Sequence, residues 1–120
     1  MKNRNFTKTL LWLDDARDPF SKKIDWLVFS PIGRNVDIVW LDNYQEFVDH
    51  IIIFGLPDGI CFDHDLGSYK ETGYDCAKWL VNYCLDNNKK LPKYNIQSAN
   101  PVGKENIDRL LQNFKKFTEK

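Results

Sequence analysis

The sequence predicts an α/β domain built on a mainly parallel sheet of about four strands. Two observations lead to this fold class: short apolar runs recur four times, and helical stripes of apolar residues fill the gaps between the later runs. The runs show little alternation, which is typical of strands covered on both faces. Strands that alternate with helices favour a parallel sheet with right-handed crossovers. The chain has 120 residues, which is the size of one ordinary domain, so we expect residues 1–120 to form a single domain.

The four predicted strands are residues 9–13, 36–41, 59–62 and 94–98. We expect the second strand to lie beside the first and the fourth to lie at an edge. That edge would be covered by the last helix, or paired with a protein partner or a second copy in a homodimer. Residues 16–35 show no helical stripe, so we expect an irregular connection with one short turn near residues 24–28. A connection of this length is unusual unless it has a function, such as covering a site.

Capping residues mark the starts of three helices. Asn43 precedes the first, which should run to Phe54, with Glu46 at the spacing of a reciprocal acid. Thr72 opens the second, with Asp75 three residues later. Asn100 precedes the third, where Pro101 suits a first helical turn.

Composition limits the function classes. Hydrophobic residues make up 42% and charged residues 28% of the chain, and no segment approaches the roughly 20 apolar residues of a membrane helix. Acidic and basic residues number 17 each, so no overall basic field favours nucleic acid, and such a substrate would need a local patch. The three cysteines are odd in number, lack a C-x-x-C pair and lie in apolar segments, which indicates core thiols in a cytoplasmic protein.

Polar side chains follow three of the predicted strands, at the edge where ligands bind in open parallel sheets. These residues are Asp14 and Asp15, then Asp63, His64 and Asp65, then Ser98 and Asn100. Two carboxylates ~4 Å apart repel by ~4 kcal/mol at an effective dielectric near 20, so the acids require shared protons or a cation. We favour Mg²⁺, which suits a few carboxylates with water and phosphate. The alternative is that these acids are solvated loop residues or caps.

Strand alternation separates roles within the stretch DHD. If the strand continues, Asp63 and Asp65 share a side, so that Asp14, Asp15, Asp63 and Asp65 are the predicted metal ligands, while His64 points away. His64 is then either a general acid or base, or a hydrogen-bonded brace for the loop.

A phosphate cradle is predicted at the start of the last helix. Ser98, Asn100 and Lys104 would supply a hydroxyl, an amide and a charge beside the backbone N–H groups of the helix. The alternative is that Asn100 and Pro101 merely begin the helix.

Four motifs carry a family resemblance. LDDARDP, DHDLG, TGYD and NPVGKENI occur in that order between residues 13 and 107. The chain resembles the receiver domains of two-component signalling, and more closely the cyclic-phosphate-processing receiver-like family. The first resemblance implies a shortened three-layer, flavodoxin-like fold, with Asp63 where receivers carry the phosphorylated aspartate and Ser98 where they carry a small hydroxyl residue. The second implies action on cyclic phosphates, such as 2′,3′-cyclic ends of RNA.

Two departures from these patterns bear on function. After the last predicted helix no further strand is predicted, so we expect the fifth strand of receivers, its helix and its lysine to be missing from this domain. Gln97 stands where the family pattern places a histidine, and glutamine cannot replace proton chemistry.

Two functions are therefore expected. In the first, an enzyme uses Mg²⁺ to polarise a cyclic phosphate, Arg17 clamps a non-bridging oxygen, and a metal-activated water or Asp63 attacks, with Asp63, His64 and Ser98 as the catalytic residues. In the second, a non-catalytic module binds phosphate or a protein, or is phosphorylated on Asp63.

Overall fold

The computed structural model describes residues 7–67 and 70–118. Within them, four parallel strands form one sheet in the order β2-β1-β3-β4. The strands are β1 (Lys8–Leu13), β2 (Val36–Leu41), β3 (Gly59–Phe62) and β4 (Lys93–Ile96). The helices are α1 (Trp26–Phe29), α2 (Tyr44–Phe54), α3 (Gly73–Asp86) and α4 (Pro101–Thr118). The α/β class, the place of the second strand beside the first and the edge position of the fourth are confirmed.

The predicted caps form at all three helix starts. The Asn43 side chain accepts a hydrogen bond from the Glu46 amide at 2.9 Å, while the Glu46 carboxylate accepts from Asp42 rather than from Asn43 itself. Thr72 and Asp75 form a complete capping box. These caps satisfy amides that have no partner inside the helix, and so they fix where each helix begins.

The sheet is covered on both faces, as its apolar strands predict. On one face, Leu11 and Leu13 pack with α2, α3 and α4 in the main core. On the other, Leu10, Trp12 and Cys61 are fully buried beneath apolar residues of the connection between β1 and β2 and the start of β2 itself. This connection contains only the single turn α1, so side-chain packing covers this face where a helix would be usual.

The outer edge of β4 has few backbone donors to offer a further strand. The strand ends at Ile96 rather than at the predicted residue 98, and the Gln97 amide donates to Phe62 at 2.9 Å. Alternation turns the Ile96 amide outward, where the Asn95 side chain accepts its hydrogen bond at 2.8 Å. Pro92, just before the strand, has no N–H. Proline and locally bonded amides both limit pairing at an edge.

A groove of about 940 Å³ runs between β4 and α4, so the last helix does not fill the space beside this edge. None of the helices in the described ranges has the length and apolarity needed to cross a bilayer. Cys61, Cys76 and Cys84 are free and buried.

Candidate functional site

Three carboxylates meet at the carboxyl ends of β1 and β3. The two strands are paired neighbours with Leu13 opposite Phe62, so the residues that follow them, Asp14 and Asp63, emerge side by side. One oxygen from each of Asp14, Asp15 and Asp63 lies within 4.8 Å of the others. Asp14 is fully buried and Asp63 is 7% exposed, whereas Asp15 is more accessible. The predicted convergence of these three acids is present in the fold.

Asp14 is held by its own loop. Its Oδ1 accepts hydrogen bonds from the backbone amides of Ala16 and Arg17, both at 2.9 Å. The indole of Trp40 donates to its backbone carbonyl at 2.7 Å. Its Oδ2 is buried without a hydrogen-bond partner among the described residues, and Arg17 Nη1 lies 3.6 Å away. A buried carboxylate oxygen in this state is costly unless a cation or a proton joins it.

The raised pKa of Asp63 also favours a cation at this site. Burial and then the charge of Asp14 raise the pKa of Asp63 to about 6, and Asp15 adds to the rise. The charge of Arg17 and a hydrogen bond from the Ser98 side chain act in the opposite direction. Negative charge at this position is therefore undercompensated, which favours a bound cation.

Gly73 lets α3 approach the backbone of Asp63 closely. A β-carbon on Gly73 would lie 1.8 Å from the Asp63 carbonyl oxygen, and the Gly73 amide donates to the His64 carbonyl at 2.7 Å. The capping box at Thr72 fixes the same end of α3. The glycine of the TGYD motif therefore allows α3 to pack directly against the loop that carries Asp63.

His64 and Asp65 form a separate pair. β3 ends at Phe62, so extended geometry does not persist through residue 65, and His64 Nδ1 lies 2.9 Å from Asp65 Oδ1. The Asp65 side chain is 65% exposed, and the bond with His64 lowers its pKa. The His64 ring packs against Gly103, where a β-carbon would lie 2.3 Å from Cγ. Asp65 is thus not grouped with the three clustered carboxylates.

The predicted phosphate-binding residues are distributed over two places. Ser98 lies beside Asp63, where its side chain lowers the pKa of that carboxyl, and its Oγ accepts from the Asn100 amide at 3.1 Å. Asn100 caps α4, because its Oδ1 accepts from the Gly103 amide at 3.0 Å, and its Nδ2 lies 3.5 Å from Asp65. Lys104 lines the groove between β4 and α4, and none of the three clustered carboxylates lines that groove.

Arg17 binds within the chain. Its Nη1 donates to the carbonyl of Gln97, and its own carbonyl accepts from the Trp12 indole at 2.8 Å. Gln97 is 6% exposed, its Nε2 donates to the Leu13 carbonyl at 3.3 Å, and its Oε1 has no partner among the described residues.

Sequence reasoning missed the supporting parts played by Gln97, Trp12 and Trp40. The two tryptophans pair in register across β1 and β2, close to the strand ends, and this position was the available signal for them.

Comparison with known families identifies a match over most of the chain. The cyclic-phosphate processing receiver domain matches residues 9–113, which contain the acidic cluster, α3 with its capping box and the start of α4. A comparison with curated proteins finds no match. The family match covers most of the chain and agrees with the parallel sheet and with acids at its carboxyl edge. The chain belongs to the family of cyclic-phosphate processing receiver domains.

Proposed function

We propose that this domain binds Mg²⁺ at Asp14, Asp15 and Asp63 and opens the ring of a cyclic phosphate there. The observation that carries the proposal is the Oδ2 atom of Asp14, which is buried within a cluster of three carboxylates and has no hydrogen-bond partner among the described residues, only the Arg17 guanidinium 3.6 Å away. A hard divalent cation with oxygen ligands suits this donor set. When bound, it would neutralise the acids and polarise a phosphoryl oxygen.

The surrounding residues support phosphate binding at the same place. The Ser98 side chain lies beside Asp63, and its single hydroxyl proton can turn from that carboxylate to a phosphoryl oxygen. Arg17 provides positive charge near Asp63, whereas the Gly103 and Lys104 amides at the start of α4 are already bonded to Asn100. Asn100 and Lys104 serve in this proposal as outer contacts for the remainder of the substrate, because one caps the helix and the other lines the neighbouring groove.

Ring opening is a balanced hydrolysis. One oxygen attacks phosphorus, one ring P–O bond breaks, and the departing oxygen takes a proton, so that a cyclic diester and water give a monoester. Attack comes either from water or from the Asp63 carboxylate, which would form an acyl phosphate that water then cleaves. The packing of His64 against Gly103 supports a bracing role for that residue. We take RNA ends or nucleotides with a 2′,3′-cyclic phosphate as the substrate class, on the basis of the family match.

A second function is favoured by a specific observation. Gln97 has no titratable group, and its Nε2 is bonded to the Leu13 carbonyl, so proton transfer at this position is excluded. A module that is phosphorylated on Asp63 without turnover, or that binds phosphate or a partner protein, needs no such group. The three free, buried thiols support a cytoplasmic setting for either function.

One experiment separates these functions. An RNA oligonucleotide ending in a 2′,3′-cyclic phosphate is incubated with Mg²⁺ and the wild-type protein, the Asp63→Asn variant or the Asp37→Asn variant. Asp37 is exposed on β2, so its variant is a control for the loss of one carboxylate. Opening of the ring by the wild type and by Asp37→Asn, but not by Asp63→Asn, supports the enzyme.

If the RNA stays intact with the wild type, the enzyme proposal is wrong. Mass spectrometry after exposure to acetyl phosphate then tests the second function. A phosphoryl adduct present in the wild type and absent from Asp63→Asn supports the phosphorylated module. If the wild-type protein binds phosphate but forms no adduct, simple binding is supported.

A further inference from the structure

Two crossed links join the end of β1 to the end of β4, although β3 lies between these strands. The Gln97 side chain donates from Nε2 to the Leu13 carbonyl at 3.3 Å. The Arg17 side chain donates from Nη1 in the opposite direction, to the Gln97 carbonyl. Each link thus uses a side chain from one strand end and a backbone oxygen from the other.

The backbone of β3 is bonded into the same network. The Asp63 amide donates to the Leu13 carbonyl at 3.0 Å, so that this oxygen accepts from both Asp63 and Gln97. The Gln97 amide donates to the Phe62 carbonyl at 2.9 Å. Three strand ends are therefore tied together directly beneath the residues that follow them, Asp14, Asp63 and Ser98.

Because these links are largely buried, they tolerate little change in the positions of their donors and acceptors. The Gln97 side chain is almost fully buried, and so an amide that lost its partner could not be satisfied by water. The Arg17 side chain is partly exposed, at 34%, but its Nη1 also forms an ion pair with Asp14 Oδ2 at 3.6 Å. We expect a change at either side chain to affect the spacing of the strand ends more than the packing of the main core.

We propose that Gln97 and Arg17 are positioning residues that set the separation of Asp14, Asp63 and Ser98 through these crossed links. The acidic cluster is thereby held at a spacing ready for a cation before any ligand arrives. This inference rests on the proposed function only where it concerns cation binding, because the links themselves can be measured without metal. Neither residue carries out chemistry on the substrate in this role.

The fold contains its own reporters for the test. The Trp12 indole donates to the Arg17 carbonyl at 2.8 Å, and the Trp40 indole donates to the Asp14 carbonyl at 2.7 Å. In a spectrum of ¹⁵N-labelled protein, these two indole N–H groups give separate signals that respond to the loop of the acidic cluster.

The main variant is Gln97→Met, which keeps the length of the side chain and removes the donor. The control is Gln45→Met, the same change on the exposed surface of α2, where the Gln45 side chain donates to Asp49. Arg17→Lys is a second variant that keeps the positive charge and loses the planar fork. It changes a partly exposed side chain, so it remains informative if Gln97→Met does not fold.

In metal-free buffer, we expect Gln97→Met and Arg17→Lys to move the Trp12 and Trp40 indole signals, and Gln45→Met to leave them in place. In a Mg²⁺ titration followed by the same signals, we expect the midpoint to rise about tenfold in both test variants and to stay unchanged in the control. A purely structural role would lower the melting temperature without moving the titration midpoint.

Wild-type indole signals or a wild-type Mg²⁺ midpoint in folded Gln97→Met would overturn the inference. If the wild type itself shows no response to Mg²⁺, the proposed function fails, whereas the metal-free indole signals still decide whether the crossed links hold the strand ends.

Discussion

The carbonyl oxygen of Asp63 lies 1.8 Å from the point that a β-carbon on Gly73 would occupy. The first residue of α3 and the loop of the acidic cluster are therefore in direct backbone contact, and no side chain can lie between them. The position of the buried acid depends on the absence of a single methyl group, a constraint that only glycine meets.

This contact predicts a severe effect for Gly73→Ala. Backbone atoms cannot move aside as a flexible side chain can, so we expect a loss of about 2 to 4 kcal/mol in the free energy of unfolding. Gly103→Ala, which would meet the His64 ring rather than backbone, should cost less. Urea unfolding monitored by circular dichroism measures both variants. Equal losses would contradict the distinction between a backbone and a side-chain clash.

The raised pKa of Asp63 predicts that Asp63→Asn stabilises the metal-free protein. The folded-state pKa is about 6 against an ordinary value of 3.8, so the folded state holds the proton more tightly than the unfolded state. The contribution of this group is therefore most favourable below pH 3.8 and is lost as the pH rises through 6. We expect a gain of roughly 1 to 3 kcal/mol at pH 7.5, allowing for coupling to Asp14.

Urea unfolding of Asp63→Asn in EDTA at pH 7.5 and pH 4.5 measures this dependence. The gain should be clearly smaller at pH 4.5, and Asp37→Asn should show no such change between the two values. A gain of the same size at both pH values would mean that repulsion at Asp63 is not its cause.

Mg²⁺ should raise the melting temperature of the wild type, and EDTA should reverse the rise. A ligand that binds only the folded state at 100 times its dissociation constant adds about 2.7 kcal/mol. Asp14→Asn should lose the response while remaining folded, because an asparagine Oδ1 can still accept from the Ala16 and Arg17 amides. Asp37→Asn should keep it. A full response in Asp14→Asn would place the cation elsewhere.

The cysteines should be inert in the folded protein. Burial raises the pKa of Cys61 to about 12 and that of Cys84 to about 11, and it raises the pKa of Cys76 as well. Because the thiolate is the reactive form, we expect almost no reaction with a disulfide reagent such as DTNB at pH 8, and reaction of all three thiols in guanidinium chloride. A thiol that reacts at once under native conditions would contradict the packing of its segment.

Much of this fold follows from local patterns. The apolar runs and capping residues predict the strands and the helix starts, because Asn43, Thr72 and Asn100 act on amides only a few residues away. The meeting of Asp14 with Asp63 also follows, since it requires only that the first and third strands be neighbours in a parallel sheet.

The remaining features of the site depend on distances that no local pattern contains. Gln97 bonds to Leu13 across an intervening strand, and the Trp40 indole reaches the Asp14 carbonyl from another element. The pairing of His64 with Asp65 arises because β3 ends at Phe62, so that none of the DHD stretch belongs to the strand and its side chains do not alternate as extended geometry requires. Lys104 lines the groove because the rotation of α4 about its axis is set by packing, which sequence spacing specifies only approximately.

The irregular connection between β1 and β2 links its own detachment from the sheet to the binding of a cation at the acidic cluster. It has little regular backbone hydrogen bonding of its own, so transient detachment should expose Trp12 and Cys61 at a lower free-energy cost than unfolding of the opposite face. Its first residues are Asp14 to Arg17, the same turn that forms one wall of the acidic cluster. A cation bound at the acidic cluster should therefore slow amide hydrogen exchange along this connection as far as Phe29, whose carbonyl accepts a hydrogen bond from the Asn95 side chain.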